Sequence, residues 1–192
     1  MGVKIGVLAL QGDVSEHASA FREAMRGEGA AVAVRRPADL DGLDGLAIPG
    51  GESTTIGRLV DKNNLRRPIE AFEGGIFATC AGMVLVAGEV DDPRITPLGL
   101  VDMAVDRNAF GRQRDSFEAD LSIEGLDEPF HAIFIRAPVA TRVGRDVEVL
   151  GSIDRGIVAV RAGPHMALSF HPELGGDRRL HELFLEGLRE SS

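Results

Sequence analysis

The sequence predicts an α/β fold: a three-layer sandwich with a central, mostly parallel sheet that gains antiparallel strands in its second half. Three observations predict it. Short apolar runs alternate with amphipathic helical stretches through the first half, the rhythm of βαβ units. Those runs are apolar throughout rather than at every second residue, as strands covered on both faces require. After Pro97 the rhythm gives way to successive strand-like runs with no helix between them. With 192 residues, 44% hydrophobic and 27% charged, the chain is long enough for one substantial core and too apolar for disorder, so residues 1–192 are expected to form a single domain.

Residues 3–10 form the first expected strand, ending at Gln11-Gly12. Asp13 and Glu16 then stand at capping-box spacing before a helix whose Ala18, Phe21 and Met25 recur on one face. Residues 31–34 and 45–48 read as the next strands, the second running into Pro49-Gly50-Gly51 and a helix that begins near Thr54. Residues 76–79 form a short buried strand, Cys80-Ala81-Gly82 a sharp turn, and residues 83–87 the helix that leaves it. Strand-like runs follow at 98–105, 117–123, 130–135, 147–153, 157–161 and 166–170. Leu180, Phe184 and Leu188 then space a closing helix over 177–189.

The charge balance sets limits on partners. Lys and Arg number 21 against 30 Asp and Glu, a net charge of −9, and there is no Trp or Tyr, so a nucleic-acid-binding face is not expected. A single cysteine excludes an internal disulfide and a cysteine zinc cluster. The longest uncharged stretch, 74–88, is shorter than the ~20 residues of a bilayer span, and charges from Lys4 onward break any signal-peptide pattern, so the cytoplasm is the expected location.

Chemistry concentrates at three places. Cys80 stands at a strand-to-helix turn, where backbone N–H groups and the helix dipole favour a thiolate. A lone cysteine is usually buried filler, so the reading turns on what accompanies it. Phe170-His171-Pro172-Glu173 follows a strand, with Pro172 holding His171 extended. His171 can serve as the base a thiol needs, and Glu173 as the acceptor that orients the imidazole. Pro49-Gly50-Gly51-Glu52-Ser53 offers backbone N–H groups unobstructed by side chains, as an oxyanion hole requires. It lacks the Gly-Lys-Ser/Thr of a phosphate loop. His181-Glu182 begins like a zincin motif, but Leu185 occupies the second histidine's place. His17, His131 and His165 lack partners at ligand spacing and read as packing or surface residues, so no metal is expected.

Taken in order, Pro49-Gly50-Gly51, Thr79-Cys80-Ala81-Gly82 and His171-Pro172-Glu173 resemble the class I glutamine amidotransferases, which have a flavodoxin-like fold. Within them the chain is similar to the glutaminase subunits of pyridoxal 5′-phosphate synthases, through residues 6–12, 49–55 and 107–113, with Ser116-Phe117-Glu118 and residues 134–138 extending the match. One departure stands out: Ala78 replaces the glycine usual two residues before the cysteine.

The resemblance implies a catalytic triad of Cys80, His171 and Glu173, an oxyanion hole at Gly51 and Ala81, and glutamine held by Gly50, Gly51, Glu52, Arg107, Ile135 and Arg136. It implies glutamine hydrolysis to glutamate and ammonia without a cofactor. The ammonia would pass to a synthase subunit in a large hetero-oligomer that makes pyridoxal 5′-phosphate. Gln11 is a candidate relay between the two proteins. A glutaminase serving another pathway, such as imidazole glycerol phosphate synthesis, or a non-catalytic regulatory subunit of the same fold, are the alternative readings.

Overall fold

The computed structural model describes residues 2–111 and 116–190. Arg112 and Gln113, the end of one matching stretch, lie outside the described residues. In chain order the elements are β1 (Val3–Leu8), α1 (Val14–Met25), β2 (Gly29–Val34), a 3-10 turn (Pro37–Leu40), β3 (Gly45–Ile48), α2 (Ser53–Lys62), α3 (Arg66–Glu70), β4 (Gly75–Thr79), α4 (Ala81–Val86) and β5 (Ala87–Val90). The second half adds β6 (Val101–Asp106), β7 (Ser116–Leu121), β8 (Phe130–Ile135), β9 (Val139–Val143), β10 (Glu148–Ile153), β11 (Gly156–Ala162), β12 (His165–Leu168) and α5 (Arg179–Glu190).

Ten strands form one sheet in the order β2-β1-β3-β4-β12-β11-β9-β6-β5, with β10 paired to β11. The β2-β1-β3-β4-β12 portion is parallel. The strands beyond it are antiparallel, except that β5 runs parallel to β6. This is the expected mostly parallel sheet with antiparallel strands in the second half. The strand order reverses at β1, which lies between β2 and β3, and ligands of such sheets bind outside the carboxyl ends of the strands at that point.

Strand alternation divides the core into two layers. Leu46 and Ile48 of β3, with Ile76 and Ala78 of β4, pack with Ile56 and Val60 of α2. Ala47 and Phe77, the residues between them, join Phe21 of α1 and Phe184 of α5 on the other face. Phe77 centres this second layer, its ring 5.3 Å from that of Phe21 and 5.2 Å from that of Phe184. Truncations of such fully buried aromatics cost about 3–5 kcal/mol. The separate β7–β8 hairpin also covers this layer, burying Phe130, Ala132 and Phe134 at alternate positions.

Two local expectations are corrected and two elements are added. Asp13 caps α1 by position, but its side chain makes no capping hydrogen bond, and Glu16 bonds Ser15 instead. The helix expected at 83–87 runs over Ala81–Val86, and Ala87 already opens β5. Neither α3, which contains Pro68, nor β9, which follows Pro138, stood out in the sequence. Among the described residues no helix is long and apolar enough to cross a membrane.

Candidate active site

The carboxyl ends of β1, β3, β4 and β12 bring the predicted residues together around a cleft of about 490 Å³, a volume suited to a small-molecule ligand. At the end of β4, Cys80 has φ 49° and ψ −106°, a conformation an L-residue adopts at a cost of about 1–3 kcal/mol. Two contacts hold it there. Its N–H donates to the Leu168 carbonyl of β12 at 2.8 Å, and two residues later a Cβ on Gly82 would come within 2.1 Å of the Ile48 carbonyl oxygen. Glycine at 82 therefore lets α4 close onto β3. Ala81 is the first residue of α4, so its N–H has no acceptor within the helix. The added methyl of Ala78 packs in the layer beneath α2 and α4 and does not line the cleft.

His171 reaches Cys80 from the other half of the chain. Its backbone N–H donates to the Ile133 carbonyl of β8 at 2.9 Å, which ties the end of β12 to the hairpin. Its Nδ1 lies 2.7 Å from Glu173 Oε1, and the ring lines the same cleft as the Cys80 thiol. Cys80, His171 and Glu173 are 6, 5 and 4% exposed, so the three groups interact in a poorly solvated setting. Burial opposes a charge on His171, but hydrogen bonds to Asp13, Cys80 and Glu173 outweigh it and push its pKa up to about 12. The Cys80 thiol also approaches the Ile135 carbonyl, at 3.6 Å.

Gly50 and Gly51 do different things. Gly50 lies against the imidazole, where a Cβ would come within 2.5 Å of His171 Cε1. Gly51 lines the cleft at φ +150°, and a Cβ there would meet Gln11 Oε1 at 2.4 Å. Gln11 Oε1 accepts the Glu52 N–H at 3.0 Å, so Gln11 braces the glycine loop.

Glu52 caps α2, accepting Thr55 N–H and Oγ1 at 2.8 and 2.7 Å, Thr54 N–H at 3.2 Å and the Thr54 hydroxyl. Although burial opposes its charge, hydrogen bonds from Thr54 and Thr55 lower its pKa to about 2. Arg107 forms an ion pair with Glu52 at 2.5 Å and with the buried Asp92 at 2.6 Å, and its own N–H donates to Asp91. Hydrogen bonds from Arg94 first, then Arg107, hold the Asp92 carboxyl well below the usual carboxylate range. Ile135 and Arg136 complete the rim, Arg136 with φ +45°.

Of the predicted residues, Gly51, Glu52, Cys80, Ala81, Arg107, Ile135, Arg136 and His171 line the cleft, with Gly50 and Glu173 behind the imidazole. Sequence reasoning missed Asp13, Asp92 and His17. Asp13 lines the cleft 3.3 Å from His171 Nδ1. His17 is fully buried, its Nε2 2.9 Å from Thr79 Oγ1 and 3.5 Å from Glu173 Oε2, so it packs behind the site. The only hint was the four-residue spacing of Asp13 and His17 on one helix face. His131 is exposed between Glu118 and Asp120, His165 Nδ1 accepts the Ile76 N–H, and His181 is buried beside Phe21 and Phe77. Among the described residues, Asp13, His171 and Glu173 could offer three ligand atoms to a metal ion within 4.8 Å of one another. A cation there would have to displace the proton that Nδ1 shares with the carboxylates, so the donor set fits a proton better than a metal.

A doubly wound sheet carrying a cysteine elbow at one strand end and a His-Pro-Glu segment at its neighbour defines the class I glutamine amidotransferase fold. The model of the SNO glutamine amidotransferase family matches residues 7–190, and the chain belongs to that family. It is 67% identical over 190 residues to the pyridoxal 5′-phosphate synthase subunit PdxT of Methanoculleus marisnigri, covering 98% of this chain and 99% of that one. It is 64% identical over 192 residues to the PdxT of Methanosphaerula palustris, covering 98% of each. A solved structure described as a glutamine amidotransferase superposes with a TM-score of 0.88 at 45% identity, covering 96% of this chain and 98% of that one.

Proposed function

We propose that this chain, as one glutamine amidotransferase domain over residues 1–192, is the glutaminase subunit of a pyridoxal 5′-phosphate synthase. It would hydrolyse L-glutamine to L-glutamate and hand the ammonia to a synthase subunit. The observation that carries this reading is the buried Cys80–His171–Glu173 arrangement opening onto a cleft with an Arg107–Glu52 pair on its far wall. The identity to subunits of that name supports the pathway.

In the proposed reaction His171 already holds the proton drawn from Cys80, and the thiolate attacks the side-chain amide carbon of glutamine. Backbone N–H groups at Gly51 and Ala81 meet the developing oxyanion. His171 returns the proton to the departing ammonia, then takes one from the water that cleaves the thioester. Glu173 keeps the imidazole in the required tautomer. Free glutamine carries both an ammonium and a carboxylate, and Glu52 and Arg107 supply the opposite charges. Ammonia released to water would be protonated and lose its nucleophilicity, which favours direct delivery to the synthase subunit, in the large hetero-oligomer that the resemblance implies.

The test is a glutamate-release assay with and without the synthase subunit, with ammonia and pyridoxal 5′-phosphate measured separately. Release that depends on the partner and vanishes in Cys80→Ala is the expected result. Release at the wild-type rate from Cys80→Ala would overturn the assignment.

A further inference from the structure

Asp13 is a carboxylate in the cleft wall that the proposed mechanism leaves unused. Its Oδ2 lies 3.3 Å from His171 Nδ1, the same nitrogen that Glu173 bonds at 2.7 Å. Two carboxylates therefore converge on one N–H, one from the loop before α1 and one from the segment after β12. Asp13 occupies the N-cap position of α1, where an aspartate ordinarily accepts from the helix N–H groups, yet it makes no such bond.

Its position is set by the backbone. The Asp13 N–H donates to the Gly50 carbonyl at 3.2 Å, and Gly12, at φ +99°, approaches so closely that a Cβ would fall 1.8 Å from the same oxygen. The loop is thus clasped to the glycine turn that lies against His171. The groups facing His171 are Asp13 from this loop, Cys80 from the turn after β4, and Glu173 from its own segment. His17 of α1 stands behind Glu173, with burial lowering its pKa. Across the cleft Glu52 is paired with Arg107.

We propose that Asp13 is a positioning residue for this reaction: a second carboxylate on His171 Nδ1 that keeps the ring turned toward Cys80 and stabilises the imidazolium formed when the thiol gives up its proton. The division of labour follows from burial. Glu173 is enclosed and fixes the ring, whereas Asp13, with its side chain 34% exposed, adds negative charge from the solvent side of the cleft. Burial weakens a lone imidazolium, and an opposite charge within about 4–6 Å favours it. When the proton moves on to ammonia, the same two acceptors hold the neutral ring in register for the water step.

The inference rests on the glutaminase reading, and the test separates the two. Asp13→Asn keeps the shape of the side chain and removes its charge, and Asp13→Glu restores the charge. The His171 imidazole is titrated by 15N NMR, assigned by its loss in His171→Gln, and glutamate release by the complex with the synthase subunit is followed across pH. Asp13→Asn is expected to lower the His171 titration by about one pH unit. The limb of the pH–rate profile that follows this group should move down with it, and kcat should fall while KM for glutamine stays put. Asp13→Glu should recover part of both. An unmoved titration, or an activity loss confined to KM or explained by a lowered melting temperature, overturns the proposal. A shifted titration in a complex that releases no glutamate even as wild type would sink the glutaminase reading and leave the Asp13–His171 coupling standing.

Discussion

One side of the cleft carries Cys80 and His171 with Glu173 behind them, none more than 6% exposed, while Glu52, on the side of Arg107, has 43% of its side chain exposed. The first is built from strand ends of the central sheet and its hairpin. The second is built from a helix cap and the Arg107 turn. Charge placement differs as well. On the buried wall the carboxylates gather around an imidazole, whereas on the open wall Glu52 and Asp92 clamp an arginine that already holds its charge. On the proposed mechanism the fold holds the reacting groups in its core and leaves recognition to groups in closer contact with water, where ion pairs are weaker and easier to exchange for a ligand.

That contrast can be broken by substitution, beginning where the effect is greatest. Cys80→Ala should abolish glutamate release by the complex, and His171→Asn should come close, with the fold intact by circular dichroism. Glu173→Gln keeps the nucleophile but weakens the hold on the base, so kcat should fall by roughly 10²–10⁴-fold with KM unchanged. A rise in KM instead would show that the two walls are not separate in function. Arg107→Gln should act the other way, raising KM by ~10–100-fold with a smaller effect on kcat, since it removes hydrogen bonds to a charged group worth about 1.5–3 kcal/mol.

The smallest expected effect concerns Glu52 and pH. Its pKa is lowered from 4.5 to about 2, so its ionisation contributes stability that is present above about pH 4.5 and is lost as pH falls through about 2. Urea unfolding of wild type and Glu52→Gln should therefore differ at pH 7 and converge toward pH 2. A difference that stays constant across that window would mean that packing, and not charge, distinguishes them.

The buried wall was the more legible of the two in the sequence. Cys80 and His171-Pro172-Glu173 sit at strand ends marked by small residues and a proline, and such local signals survive folding. β3 and β8 were legible to the residue because each is an apolar run with clear boundaries. β9 was not, because Thr141 and Arg142 dilute its apolar pattern, and α3 carries Pro68, which reads as a breaker. Asp13 was misread for a deeper reason. Beside Glu16 it has every local mark of a cap, and only the arrival of His171 across the sheet gives it another partner. The Asp92–Arg107–Glu52 chain was likewise visible only in part, since it joins three turns that no spacing rule connects.

The amide of Cys80 and the carbonyl of Leu168, the last residue of β12, form one rung of the central ladder, three residues before His171. The proposed nucleophile thus hangs from the middle of the sheet, and the proposed base follows the neighbouring strand and is tied to Ile133 of β8. The Cys80 amide should accordingly exchange with deuterium only as fast as the whole molecule opens, and the chemistry should persist, on warming, until the fold itself is lost.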